Sequence, residues 1–207
     1  MPSLIASSSA RKILQCGQWL QDLSTETVKW STELLHFDRM SESLSVRNEC
    51  LTWLNEPLSF VVIGLVDDFR FCDPQEVPGI DSLYKMELKS WSGYPRFEND
   101  LEQLPKNISS LWDDQLATAL ELYRNILFRN ASGPLTSWVL PGESSTLILT
   151  VTDRTQTFLY DRVMDPNLVQ VGSLMIAECR LHRVWRTDIA CFSYSLTMEV
   201  VDATFRP

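Results

Sequence analysis

The sequence predicts an α+β fold: a mostly antiparallel sheet with an amphipathic helix pair on one face, preceded by an α-rich N-terminal segment. Residues 168–201 alternate apolar and polar side chains on both sides of a polar connection at residues 184–188, the pattern of a β-hairpin with one buried face. Residues 108–128 repeat apolar residues every three or four positions, as an amphipathic helix does. The predicted strands are joined mostly by short turns, which favour antiparallel pairing.

Residues 1–56 are predicted to form a helical, acidic segment, followed by an α+β domain at residues 57–207. Apolar residues on rough helical stripes indicate one helix over residues 10–23, a second that starts near residue 24, and a third over residues 41–55. Pro57 ends the third helix. The boundary lies here because β-branched and aromatic residues dominate the sequence that follows.

The second part of the chain begins with two predicted strands. Residues 59–71, SFVVIGLVDDFRF, have the composition of a central strand, and residues 82–91 alternate like a half-buried one. Residues 98–130 are helical, and Pro105 divides them into a helix pair. Residues 146–152 and 157–163 are predicted as strands joined by a turn, and the closing hairpin follows them.

The composition indicates a folded domain rather than a disordered chain. Of its 207 residues, 44% are hydrophobic, which is enough to bury a core, and the net charge is −9. This charge argues against a general nucleic-acid binder, whose affinity comes largely from neutralising phosphates. The charge is uneven, however: residues 57–153 hold fourteen Asp and Glu against seven Lys and Arg, whereas residues 154–207 hold six of each. All six of the latter cations are Arg, and three of them fall within residues 180–186. Arginine without lysine favours planar, bidentate or stacked contacts.

No motif for catalysis or cofactor binding is present, so we expect a protein that is not an enzyme and holds no cofactor or metal. The phosphate-binding loop, the dinucleotide-binding glycine pattern, the nucleophile elbow and the zinc-protease motif are all missing from the sequence. The five cysteines are scattered and suggest free thiols, with a disulfide between Cys179 and Cys191 left open. Asp67 and Asp68 are candidates for acid–base chemistry, although a charged strand end that discourages edge pairing explains them more simply.

The most distinctive cluster of side chains lies near the predicted hairpin tip. It consists of four basic residues and one tryptophan: Arg180, His182, Arg183, Trp185 and Arg186. A basic tip with an aromatic ring is suited to binding phosphates and stacking a base, or to lying on an anionic bilayer. The plainer interpretation is a solvated polar face whose arginines pair with nearby carboxylates. We predict that this cluster binds an anionic partner.

Three stretches of the second part share a pattern with one viral family. They are the strand and turn at residues 84–95, the helix pair with the sequence SLWDD at residues 110–114, and the run from residue 171 to Trp185. Through them, residues 82–201 resemble the rhabdovirus matrix proteins and matrix-like accessory proteins. The chain departs from that family in its acidic residues 1–56, where the family has a lysine-rich segment, and in having no proline-rich budding motif.

The resemblance implies a non-enzymatic viral structural protein that self-associates as a homo-oligomer and contacts nucleocapsid, membrane or host factors. It places the protein in the virion or the host cytoplasm, at the membrane periphery or in the nucleus. The sequence shows neither a secretory signal nor an apolar run of about 20 residues, so we expect a chain that is not secreted and does not span a membrane.

A second interpretation comes from a different class of protein. The strands at residues 60–66, 146–153 and 172–185 also suit an OB-type barrel, a subunit of a nucleic-acid maintenance complex that binds single-stranded nucleic acid or acts as a scaffold. The helix at residues 98–130 is then a large insertion. A general α+β protein-interaction module is a third possibility. An open sheet with helices on one face favours the matrix interpretation, whereas a closed barrel favours the second.

Overall fold

The structure of the protein is a computed structural model. It describes residues 3–15, 18–23, 29–30, 49–53, 56–57, 59–72, 83–104, 108–129, 139–140, 146–188 and 193–207. For residues 29–30, 49–53, 56–57, 108–110, 123–129, 139–140, 181–188 and 193–197 only the backbone is described. The described elements, in chain order, are α1 Ser8–Leu14, β1 Lys29–Trp30, β2 Glu49–Trp53, β3 Glu56–Pro57, β4 Ser59–Cys72, β5 Leu83–Lys89, α2 Glu98–Leu101, α3 Ile108–Arg129, β6 Val139–Leu140, β7 Thr146–Thr152, β8 Gln156–Leu159, β9 Arg162–Val163, β10 Leu174–Asp188 and β11 Ser193–Arg206.

Five of the strands close into a barrel. β4 pairs with β10 along one edge and with β5 along the other, β5 pairs with β7, and β10 pairs with β11, all antiparallel. β11 then meets β7 in parallel, with Glu199 opposite Thr150, and this contact completes the circle β10-β4-β5-β7-β11. The fourth barrel strand lies beside the first, which is the Greek-key order. A five-stranded Greek-key barrel is the architecture of the OB-fold.

The predicted α+β class with a mostly antiparallel sheet is therefore confirmed. The alternation in β5 is confirmed as well: Tyr84, Met86 and Leu88 are buried, whereas the residues between them are half-buried. The helix pair is present as α2 and α3, and α3 buries one face that includes Leu111 and Trp112.

Helix α3 packs tightly against the middle of β4. A side chain at Gly64 would approach Trp112 Cζ3 to 2.9 Å and Leu88 Cβ to 3.1 Å, so only glycine fits this contact. Trp112 packs edge to face against Trp91, with ring centroids 6.1 Å apart. The close approach explains a glycine in the interior of a long, buried strand.

Gln115 of α3 completes the hydrogen bonds of β4 where β5 ends. The pairing of β5 with β4 reaches only as far as Leu65. Beyond that point the Ile63 N–H donates to Gln115 Oε1 at 2.9 Å, and Gln115 Nε2 donates to the Ile63 carbonyl at 3.0 Å. Gln115 is fully buried, so it supplies partners that water cannot reach.

Helix α1 is fixed to the C-terminal strand and to the turn between β8 and β9. Lys12 Nζ lies 2.6 Å from the Asp202 carboxylate, and Ser9 Oγ donates to Thr204 Oγ1 at 3.0 Å. Asp161 accepts hydrogen bonds from the Ser9 N–H and the Ser8 hydroxyl, and these donors hold the pKa of its carboxyl below the usual range. The helix therefore docks on elements that are distant in sequence, at separations of 152 residues for Ser9–Asp161 and 195 for Ser9–Thr204.

A buried carboxylate in α2 joins both ends of the described chain. Asp100 is fully buried, accepts the Leu4 N–H at 2.5 Å and forms an ion pair with Arg206. The Arg206 guanidinium also lies 5.5 Å from the centroid of the Phe97 ring. One residue thus fixes the N-terminal segment and the end of β11 to the same helix.

The helices predicted for the N-terminal quarter are corrected in part. The first helix ends at Leu14, and residues Leu20–Asp22 form a separate 3-10 turn. The helix predicted over residues 41–55 is wrong at Glu49–Trp53, which is strand β2, because pairing with β10 overrides a weak helical stripe. Lys29–Trp30, placed in the second helix, is a strand too, and the remainder of these predictions lies outside the described residues.

Two predicted turns are also corrected. β8 does not return along β7; it runs parallel to β11, which lies between β7 and β8 in the sheet. In the closing hairpin, residues 184–188 are not the connection, because β10 continues through Asp188. The boundary at residues 56 and 57 stays a prediction, although β2 and α1 both contact the barrel strands.

Candidate functional site

The outer face of β4 and β5 carries charges that neutralise one another. Arg70 lies 3.2 Å from Glu87 and 3.6 Å from Asp68, and Lys85 lies 3.3 Å from Glu87. Lys89 Nζ is 2.6 Å from Asp67, and this partner raises the pKa of the lysine. Three cations and three carboxylates balance, so the described residues of this face offer phosphates no net positive charge.

Asp67 and Asp68 therefore take part in ion pairs with residues on their own sheet. They lie at a bulge in the pairing of β4 with β5, and each contacts a different cation. Among the described residues, no group of three or more histidine, cysteine, aspartate or glutamate side chains is arranged to hold a metal ion. Both residues lie inside β4, which pairs with β5 as far as Cys72, so they are not at a strand end.

The β10–β11 hairpin extends beyond the barrel wall. The pairing of β10 with β4 ends at Arg180 opposite Ser59, whereas β10 and β11 continue together to Asp188 opposite Ser193. We call this extension, residues 181–188 and 193–197, the arm. Its base is flanked by β2, which pairs with β10 at His182 and Arg183.

The register distributes the five predicted site residues over two faces of the hairpin. A shift between Arg183 and Trp185 interrupts the regular alternation. Positions 180, 182 and 185 stand opposite Glu199, Thr197 and Ser195, which alternate on one face of β11. Positions 183 and 186 stand opposite Leu196 and Tyr194, on the other face. Binding by the cluster stays a prediction, but the five residues do not occupy a single face.

Arg180 differs from the other four because the structure shows what its side chain contacts. Its Nε donates to Ser59 Oγ at 3.0 Å, and a terminal nitrogen lies 3.7 Å from the Glu178 carboxylate. The side chain is half-buried against the barrel. Arg180 therefore holds the base of the arm to β4.

Glu199 occupies the seam where the barrel closes. It stands opposite Arg180 in β10 and opposite Thr150 in β7, and it accepts a hydrogen bond from Thr152 Oγ1 at 3.3 Å. Burial raises the pKa of its carboxyl, and this effect outweighs the Thr152 hydrogen bond and the charges of Arg154 and Arg180, which lower the pKa. The alternation of apolar and polar residues in the closing hairpin predicts only that Glu199 lies on the solvent-facing side.

Replacing Glu199 with glutamine is expected to stabilise the protein at pH 7. The folded-state pKa is raised above the unfolded value of about 4.3, so the ionised glutamate costs stability as pH rises from that value through the folded pKa. Below about pH 4 both states bind the proton and the difference vanishes. Thermal unfolding midpoints of parent and Glu199→Gln between pH 4 and 7 test this, with the exposed Glu102→Gln as control. A variant less stable than its parent at pH 7 contradicts it.

No protein-family model and no curated protein matches this sequence. Solved structures that are similar to it include gp2.5, a single-stranded DNA binding protein encoded by bacteriophage T7, at 13% identity and a TM-score of 0.35, over 72% of this chain and 85% of that one. The single-stranded DNA-binding protein of bacteriophage Enc34, truncated at its C-terminus, is similar at 10% identity and a TM-score of 0.39, over 81% of this chain and 96% of that one.

The interpretation as a viral matrix-like structural protein is wrong. The sheet closes into a barrel instead of remaining open with helices on one face, and this is the arrangement that separates the two interpretations. Neither of the two solved structures named above is of a matrix protein. Nucleocapsid and membrane contacts lose their basis with this interpretation, whereas self-association stays a prediction. In the described part of the chain, none of the helices has the length and apolar character needed to cross a membrane.

Proposed function

We propose that the protein binds single-stranded nucleic acid through the arm and the adjoining wall of its barrel. The observation that carries this proposal is the Greek-key closure of β4, β5, β7, β10 and β11. OB-folds bind oligonucleotides with the face of their second and third strands and with the loops that join strands 1–2 and 4–5. β10 and β11 are the fourth and fifth barrel strands, so the arginine-bearing arm occupies the position of a 4–5 loop. At the TM-scores given above, the two phage proteins carry no argument about the ligand, and we base the proposal on this barrel alone.

The distribution of charge favours the arm as the place of phosphate contact. On the outer face of β4 and β5, carboxylates neutralise the three cations Arg70, Lys85 and Lys89. The backbone of Arg183 and Arg186 lies on the arm, beyond the last residue that pairs with β4. Guanidinium groups bind phosphate bidentately and stack on bases, so a few arginines can serve both contacts.

The net charge of −9 sets the expected character of the binding. An acidic chain gains little from long-range attraction to a polyanion. Its affinity must then come from few phosphate contacts and from stacking, and the dependence on salt will be shallow. This behaviour distinguishes the protein from a basic, general nucleic-acid binder.

Arg183→Ala combined with Arg186→Ala is expected to weaken binding of a fluorescent oligothymidylate about tenfold at low salt. The slope of log affinity against log salt should become shallower by about 1.4, that is about 0.7 for each lost contact with a single strand. Fluorescence anisotropy over a salt series measures both quantities. Arg180 is kept in this variant because it bonds to Ser59.

Arg162→Ala is the matched control, since Arg162 is an exposed arginine of β9, at the end of the sheet path. It should leave both affinity and slope unchanged. A parent protein that binds no single strand, or that binds duplex equally well, would refute the proposed function. A double variant with the parent's affinity and slope would show that the arm makes no phosphate contacts.

A further inference from the structure

An exposed aromatic ring stands at the end of the first barrel strand. Phe71 has 59% of its surface exposed, and it is the aromatic member of the large exposed hydrophobic side chains in the described part of the chain. Exposing a phenylalanine forgoes the free energy gained by burying it. None of the contacts described so far for the barrel or the arm explains its position.

The ring of Phe71 is held in place from beneath. It packs edge to face on Tyr84, its cross-strand partner in β5, with centroids 5.5 Å apart and an interplanar angle of 72°. Tyr84 stacks on Phe69 at 5.0 Å and 11°, and its hydroxyl donates to Asn167 Oδ1 at 2.8 Å. Tyr84 is only 6% exposed, so it forms a fixed support. A ligand that stacks on Phe71 therefore loses little free energy in ordering the ring.

The register of β4 and β5 keeps the ion pairs of these strands away from the ring of Phe71. Phe71 stands opposite Tyr84, on the face of β5 that is buried, whereas Arg70, Asp68 and Glu87 lie on the other face. The ring packs on an aromatic side chain, so it offers an uncharged, planar partner a surface of the same kind.

The place of Phe71 in the barrel points in the same direction. β4 and β5 are the first and second barrel strands, and Phe71 is the last residue but one of β4, next to the connection between them. This connection corresponds to a loop that oligonucleotides contact in OB-folds. Phe71 and the arm therefore lie at two different loop regions of one barrel.

We infer that Phe71 is a stacking platform for one unpaired base of a single-stranded nucleic acid. This inference rests on the proposed function. It adds a contact that does not depend on the base sequence, because every base has a π-face. A base in a duplex has both faces covered by its neighbours in the stack. Stacking on Phe71 thus selects single strands over double strands.

The test compares Phe71→Ala and Phe71→Trp with the parent in binding a fluorescent oligothymidylate across a salt series. Phe71→Ala should lower affinity about 5- to 150-fold, the equivalent of the about 1–3 kcal/mol that stacking contributes per base. The salt slope should not change, because no phosphate contact is lost. Phe71→Trp should restore or exceed the parent's affinity, since a larger ring stacks as well or better.

Leu168→Ala is the matched control, because Leu168 is 64% exposed and adjoins Asn167 without being aromatic. It should bind like the parent, and a loss equal to that of Phe71→Ala would mean general hydrophobic adhesion and overturn the inference. If the parent binds single strands and Phe71→Ala binds them equally well, the stacking platform is overturned while the proposed function stands. That result would favour a protein partner for the ring. A parent that binds no single strand would overturn both.

Discussion

Asp100→Ala is expected to lower the free energy of unfolding by about 3–5 kcal/mol, the usual cost of removing one partner of a buried ion pair. The substitution leaves Arg206, whose side chain is almost fully buried, without its carboxylate. It also removes the acceptor of the Leu4 N–H. Both ends of the described chain are affected, because both are tied to this one side chain.

Urea unfolding monitored by tryptophan fluorescence measures the loss. Glu102→Ala is the matched control, since Glu102 is an exposed carboxylate two residues further along the same segment. A second variant, Asp100→Leu with Arg206→Met, removes both charges and should recover much of the stability, because apolar residues can replace a buried pair. If Asp100→Ala costs no more than Glu102→Ala, the pair does not hold the termini.

Gln115→Leu is expected to cost about 2–6 kcal/mol, since it leaves the N–H and the carbonyl of Ile63 buried without partners at about 1–3 kcal/mol each. Leucine is close to glutamine in size and is a good helix former, so α3 itself should persist. Urea unfolding gives the magnitude, and hydrogen exchange at the Ile63 amide should speed up more than exchange at its neighbours. Ala117→Leu, which places the same leucine at an exposed position of the same helix, should be nearly neutral. A Gln115→Leu protein of parental stability would indicate that water replaces the side chain.

The elements with strong local periodicity were predictable from the sequence. Strands β5 and β7 follow the alternation of their apolar residues and helix α3 follows their helical spacing, whereas β4 follows from its run of β-branched and aromatic residues. The closing of the barrel was not predictable in the same way. It depends on one parallel contact between Glu199 and Thr150, and no local pattern indicates a pairing across that separation.

The residue types of the candidate site were predictable from the sequence, but their arrangement in space was not. The arginine cluster can be read in the sequence, but irregular pairing between Arg183 and Trp185 divides it between two faces. Phe71 continues the alternation of Phe69 and so resembles a core residue. Its exposure comes from its place at the end of β4, a property of the assembled barrel. Strand ends and bulges are the features that periodicity describes least.

The docking of α1 on β11 has a consequence for the order in which the protein folds. The partners of Lys12 and Ser9, namely Asp202 and Thr204, are made much later in synthesis, at sequence separations of 190 and 195. During synthesis, α1 is made long before β11 and lacks its partner strand until β11 has been made. Contacts between such distant residues require the entropy of closing a long loop to be lost first, which slows folding. Helix α1 therefore forms its native contacts only once β11 has been made, so native contacts do not form in the order of the sequence.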